Sequence, residues 1–255
     1  MPGWSLGLGL AVIVVAGPVR GAGMDDTSFF DDFTRLDPTR WYISDGWTNG
    51  DWQNCLWSTR AVSLSDGFLR LRFAPGVTAD HDYICGEIQT RQSFGYGTYE
   101  ARFRTGAGSG LNAAFFSYIG PRQQKPHDEI DIEVLLKDPA KVSFNTYVSG
   151  KPANGRTAVI PPADKDFNSY AFIWEPDRLR WFVNGSLMHE AKGPAGLPLT
   201  PQRIFASLWG SETMTDWMGP FKAPQKPVAM EIDWIAFTKS GEPCRFDQSV
   251  LCDKN

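Results

Sequence analysis

Short runs in which apolar and polar residues alternate recur from Phe29 onward, and Gly, Pro, Asn and Asp interrupt them. Residues 68–73 read Phe-Leu-Arg-Leu-Arg-Phe, and 99–104, 141–147 and 179–183 follow a similar pattern. Alternation with period two on an aromatic and β-branched background predicts half-buried strands. The more continuously apolar stretches 111–118 and 204–209 predict buried strands. No segment predicts an amphipathic helix longer than a few turns. Many short strands with frequent turns predict an all-β fold, a sandwich or a barrel. No internal repeat, low-complexity tract or linker divides the chain, so one domain is expected.

One of these runs carries unusual chemistry. In residues 127–135, Glu129, Asp131 and Glu133 alternate with Ile130, Ile132 and Val134. Successive strand side chains point to opposite faces, so the three acids share one face. Carboxylates lined up in this way repel one another, which a packed sheet seldom tolerates unless they act as a set. The two Glu residues are four apart, about 13 Å between Cα atoms. A retaining glycosidase needs carboxyl groups roughly 5 to 5.5 Å apart, which two long Glu side chains leaning together over Asp131 can reach. The plain alternative is an acidic stripe on a solvated strand.

Composition narrows the setting. Residues 4–19 are apolar but too short and glycine-rich for a membrane span, and read as a secretory leader whose n-region lacks Lys and Arg. Cleavage is expected between Ala16 and Gly23, giving a leader over 1–23 and a mature domain over 24–255 that is secreted, extracellular or periplasmic, with an uncleaved anchor as the alternative. Four cysteines in an exported chain suggest two disulfides, and four permit three pairings. Cys244 and Cys252 are close enough in sequence to clip the tail, which leaves Cys55 for Cys85. The net charge of −4 and pI near 5.4 argue against nucleic acid or an anionic membrane as partner. A monomer is expected.

The run Asp128-Glu129-Ile130-Asp131-Ile132-Glu133 resembles the signature of family 16 glycoside hydrolases, β-jelly-roll enzymes that cut β-1,3- and β-1,3-1,4-glucans. The resemblance implies a sandwich of two antiparallel sheets with a concave cleft and no catalytic cofactor. It makes Glu129 the nucleophile, Glu133 the acid/base and Asp131 the assistant between them. The polar, aromatic loop 44–55 is similar to that of the bacterial lichenases, where the matching aromatic and Asn contact glucose units. That places Trp47 and Asn49 in the cleft, although a loop Trp also serves as a packing anchor. By the same resemblance Glu87, Asn145, Tyr147, Trp209 and Trp217 bind substrate. Phe116 matches a cleft aromatic, and on its own reads equally well as core. Asp233 matches an Asp that binds a structural calcium with main-chain carbonyls, which here would lie around Asp32 and Gly67.

The chain departs from the lichenases at His127, where they have Trp. A His beside three acids can tune their protonation, bond a sugar or cap the strand. The tail 244–252, with 85–90 and 126–129, resembles rhizobial endo-glycanases that shorten succinoglycan, an acidic exopolysaccharide. Arg122, Lys125, Lys137, Lys141, Lys151 and Arg156 flank the acidic strand and are expected to favour such a polymer at the cleft ends. The expectation is a retaining endo-β-1,3-1,4-glycanase of succinoglycan-type polysaccharide. A lichenase for neutral mixed-linkage glucan and a transglycosylase are the nearer alternatives, and a non-catalytic carbohydrate-binding jelly roll is the more distant one.

Overall fold

The computed structural model describes residues 27–76, 78, 80–193 and 196–252. The leader expected over 1–23 lies outside the described residues. Among them sixteen strands follow one another: β1 (Phe29–Asp31), β2 (Trp41–Ile43), β3 (Cys55–Trp57), β4 (Val62–Ser65), β5 (Phe68–Pro75), β6 (Tyr83–Thr90), β7 (Gly97–Thr105), β8 (Leu111–Ile119), β9 (Asp128–Leu135), β10 (Lys141–Val148), β11 (Lys151–Val159), β12 (Asn168–Trp174), β13 (Arg178–Val183), β14 (Ser186–Lys192), β15 (Arg203–Gly210) and β16 (Val228–Lys239). The helical content is slight, a four-residue α1 (Thr215–Met218) and two 3-10 turns. No described helix is long and apolar enough to cross a membrane.

The strands form two layers joined through β6, antiparallel throughout except where β3 pairs in parallel with β6. One runs β11-β10-β9-β8-β15-β6, with β2 also on β6, and the other runs β5-β16-β7-β12-β13-β14, with β1 on β16 and β4 on β5. β6 serves both: Cys85 and Tyr83 pair with β5, while residues 86 to 89 pair with β15. Gly86 stands at the changeover, where a Cβ would lie 2.9 Å from the carbonyl oxygen of Ala61 and 3.1 Å from the Leu71 Cα. Only glycine lets the backbones approach this closely. The jelly-roll sandwich expected from the sequence is the fold observed.

The core lies between the layers. Ile130, Ile132 and Val134 on β9 are fully buried, each contributing about 1.5 to 3 kcal/mol by leaving water. Phe115 of β8 approaches Phe172 of β12 at 6.1 Å between ring centroids, and Phe144 of β10 approaches Trp181 of β13 at 5.9 Å. Trp181 also donates its indole N–H to the main-chain oxygen of Asp131, at 3.2 Å. The outer layer thus holds the acidic strand both by packing and by a hydrogen bond under its central acid. That support offsets the repulsion on the other face.

Both disulfides pair as expected, Cys55–Cys85 and Cys244–Cys252, with Cα separations of 5.7 and 5.0 Å. The first joins β3 to β6 and so fixes the Trp47 loop to the strand that carries Glu87. Replacing Cys55 and Cys85 together by Ser is expected to lower stability by about 2 to 4 kcal/mol. Calorimetry on the oxidised wild type and the double variant checks this, and an unchanged melting temperature would refute it.

Candidate active site

The strand register arranges the cleft as a grid of side chains. Tyr147, Glu129, Tyr118 and Arg203 form one row across β10, β9, β8 and β15. Asn145, Asp131, Phe116, Phe205, Gln89 and Tyr42 form the next, continuing across β6 to β2. Ser143, Glu133, Ala114, Ser207 and Glu87 form the third. All fifteen side chains line one open cleft of about 1320 Å³. β9 pairs with β8 without interruption from Asp128 to Leu135, so no bulge turns any of the acids away from this face.

The three carboxyl groups sit in different surroundings. Glu129 accepts from, or shares a proton with, His127 at 2.6 Å between Oε2 and Nε2. That contact raises the His127 pKa, against the opposing effect of burial. His127 also stacks on Tyr147, with ring centroids 4.8 Å apart. Asp131 is only 5% exposed. Burial pushes its pKa well up, and the charges of Glu129 and Glu133 and a hydrogen bond with Glu129 add to the rise. Glu133 accepts from Asn112 Nδ2 at 2.8 Å. Burial raises it to about 7, Asn112 opposes the rise, and the charge of Glu129 adds to it. A carboxyl that holds its proton near neutrality next to one held by an imidazole is the division of labour that acid–base chemistry needs.

Each of the expected cleft residues, Trp47, Asn49, Glu87, Phe116, His127, Asn145, Tyr147, Trp209 and Trp217, lines this same cleft. Phe116 is a wall residue rather than core: it stacks on Phe205 at 4.9 Å and an interplanar angle of 18°. Trp209 links Trp52 at 4.9 Å to Trp217 at 6.0 Å, an aromatic run along one wall. Glu87 is buried. Its carboxylate accepts from Ser44 at 2.6 Å, and burial pushes its pKa up to about 8 against the effects of Ser44 and Arg122. Protonated, it has a hydrogen to donate to a sugar oxygen.

Sequence reasoning missed Tyr42, Gln89, Tyr118, Phe205, Arg91 and Arg203, all of which line the cleft. Arg203, Phe205 and Ser207 alternate along β15, a period-two signal hidden by the apolar residues between them. It also missed Asp128, which is buried and binds the N–H groups of Ser149, Leu199 and Thr200, at 3.0, 3.3 and 3.2 Å, so anchoring two loops to the start of β9. Of the six basic residues expected at the cleft ends, only Arg122 and Arg156 line it. Arg122 lies over the Trp47 ring at 4.5 Å. Lys141 instead pairs with Asp138, and Lys137 reaches the main-chain oxygen of Asp216. Sequence proximity to β9 did not decide which side chains reach the cleft.

The calcium expectation fits the residues poorly. The register of β1 and β5 on β16 does bring Asp32 and Gly67 toward the Asp233 end, since Asp31 pairs with Ile235 and Leu69 with Ile232. The Asp233 carboxylate, however, is taken by Arg102 at 2.5 Å. A guanidinium there repels a second cation. No cluster of three or more His, Cys, Asp or Glu among the described residues is arranged to hold a metal.

Comparison with known proteins follows the same lines. The family profile described as glycosyl hydrolases family 16 matches residues 49–236. The chain is 53% identical over 226 residues to the endo-1,3-1,4-beta-glycanase ExoK of Rhizobium meliloti, covering 88% of this chain and 84% of that one. It is 34% identical to the beta-glucanase of Bacillus subtilis, over 91% and 94% of the two chains. The solved structure of the Bacillus licheniformis beta-glucanase superposes with a TM-score of 0.79 at 33% identity, covering 83% of this chain and 98% of that one.

Proposed function

The chain belongs to family 16 of the glycosyl hydrolases, and from that premise we propose that it is a secreted, monomeric endo-1,3-1,4-β-glycanase that cuts with retention of configuration and whose natural substrate is a succinoglycan-type acidic polysaccharide. The observation that carries this reading is the set of three carboxyl groups on one face of β9, in three different environments, inside an aromatic-lined cleft long enough for a chain of sugars.

Glu129 attacks the anomeric carbon as its carboxylate, oriented by His127. Glu133, which keeps its proton near neutral pH, gives it to the leaving glycosidic oxygen as that bond breaks. Glu133, now a carboxylate, then takes a proton from water, whose oxygen displaces Glu129 and restores the starting state. Asp131, whose proton is held by burial between two acids, donates to Glu129 and so moderates its charge between the two steps. The wall aromatics Phe116, Phe205 and Trp209 offer flat faces to sugar rings. The polymer choice is supported by the four cleft arginines, Arg91, Arg122, Arg156 and Arg203, in a protein of net charge −4. Within a Debye length of about 8 Å, local attraction outweighs weak net repulsion.

The test is incubation of the protein with lichenan, laminarin, xyloglucan and succinoglycan, with the product linkages identified and the first-released anomer followed by proton NMR. The expected result is cleavage of succinoglycan that weakens as salt rises, mixed-linkage cleavage of lichenan without that salt dependence, and initial β-anomer. Initial α-anomer would mean inversion and defeat the proposed mechanism. Equal, salt-independent turnover of lichenan and succinoglycan would leave a general lichenase.

A further inference from the structure

Two arginines, Arg91 and Arg203, stand on the same cleft wall. The β15–β6 ladder pairs Ser207 with Glu87 and Phe205 with Gln89; Arg203 lies two residues before Phe205 on β15 and Arg91 two residues after Gln89, just past the end of β6, and the charge of Arg91 is felt at Arg203. Like charges held close together repel. Neither arginine has an acidic partner among the described residues. Arg203 donates through Nη1 to Gln89 at 3.1 Å, while its Nε is buried with no hydrogen-bond partner. Arg91 donates to the main-chain oxygen of Pro38 at 2.7 Å, and its guanidinium lies 5.5 Å from the centre of the Tyr42 ring. Many arginines elsewhere in the fold are matched by acids, as Arg70 and Arg104 are on Glu231 and Arg178 and Arg180 on Glu175.

We propose that Arg91 and Arg203 form an anion subsite that receives a carboxylate carried by the glycan, away from the sugar under attack. This deepens the reading of the cleft as a glycanase site for an acidic polymer, and rests on it. Arg203 lies opposite Tyr118, and Tyr118 opposite Glu129, which puts Arg203 two strand spacings, about 10 Å, from the strand of the nucleophile and Arg91 about 14 Å from it. A glycan running across the strands would therefore set a sugar further along its chain, or a branch from that sugar, against the pair. Guanidinium groups match the two oxygens of a carboxylate, and no protein acceptor competes for the Nε of Arg203. Burial and the neighbouring Arg91 both lower the pKa of Arg203, the direction that a bound anion would reverse. Gln89 and Tyr42, beside the pair, add no negative charge.

The experiment compares full-length wild type with Arg203→Gln, Arg91→Gln and Arg203→Lys on three polymers: lichenan, lichenan partly oxidised at C6 to carboxylate, and succinoglycan. The reading is the ratio of kcat/KM on each acidic polymer to that on lichenan. Either Gln variant is expected to lower this ratio by about tenfold, with Lys between, because Lys keeps the charge but loses the paired donors. The effect on oxidised lichenan would place the carboxylate on the backbone ring, and an effect confined to succinoglycan would place it on a branch. Ratios within twofold of wild type on both acidic polymers would overturn the proposal. So would equal losses on all three polymers with a lowered melting temperature, the mark of a structural role. If wild type cuts none of the three, the glycanase reading fails. Retardation in native gels cast with each polymer, which needs no turnover, then decides the subsite by the same ratios.

Discussion

Glu129→Gln and Glu133→Gln should each lower kcat/KM on lichenan by at least about a thousandfold while leaving the melting temperature near that of wild type. Each change keeps the side-chain volume and removes a chemical role. Glutamine at 129 retains a partner for His127 but cannot attack, and at 133 retains the contact with Asn112 but cannot deliver or take a proton. The two losses should not add, because both residues serve one reaction coordinate. Activity of either variant within tenfold of wild type would remove it from the mechanism. A folded variant that still binds lichenan without cutting it would separate catalysis from the carbohydrate-binding alternative.

The second large effect expected is on pH. In the proposed role of acid, Glu133 must carry a proton, and burial raises its pKa to about 7. Activity should therefore fall roughly tenfold per pH unit above that value, a limb that Glu133→Gln abolishes. Stability should follow in the same direction. Burial raises the pKa of Glu133 to about 7 and of Glu87 to about 8, and raises that of Asp131 well above its ordinary value, so the folded protein holds protons that the unfolded chain has released. Their stabilisation is complete below about pH 4.3 and is lost as pH climbs through 7 and 8. Acids such as Glu175, held low by its hydrogen bond from Arg178, work oppositely and lose their contribution only in more acidic solution. The melting temperature should thus peak in mildly acidic buffer and fall toward pH 8.5. Glu87→Gln should flatten that fall by removing one of the three protons at stake. A melting temperature that rises steadily from pH 5 to 8.5 would show that these acids are ionised in the folded protein.

The alternation at 127–135 determined by itself that the three acids share a face, because a strand has period two whatever surrounds it. The closeness of Cys244 to Cys252 likewise left one reasonable partner for Cys55. The resemblance carried by residues 128–133 and 44–55 supplied the expected roles, and Trp47, Asn49, Glu87, Phe116, Asn145, Tyr147, Trp209 and Trp217 all line the cleft. What only the tertiary structure decided is which neighbours each charge has. Arg203 and Arg91 are 112 residues apart in sequence by subtraction of their numbers, and Lys137 and Lys141 sit beside β9 but turn to Asp216 and Asp138. Asp233 could be read as a cation ligand until the register of β16 on β7 set Arg102 against it. Alternation is a local property of the backbone and is legible in one segment, whereas charge pairing, burial and the resulting proton affinities depend on strands brought together from distant parts of the chain.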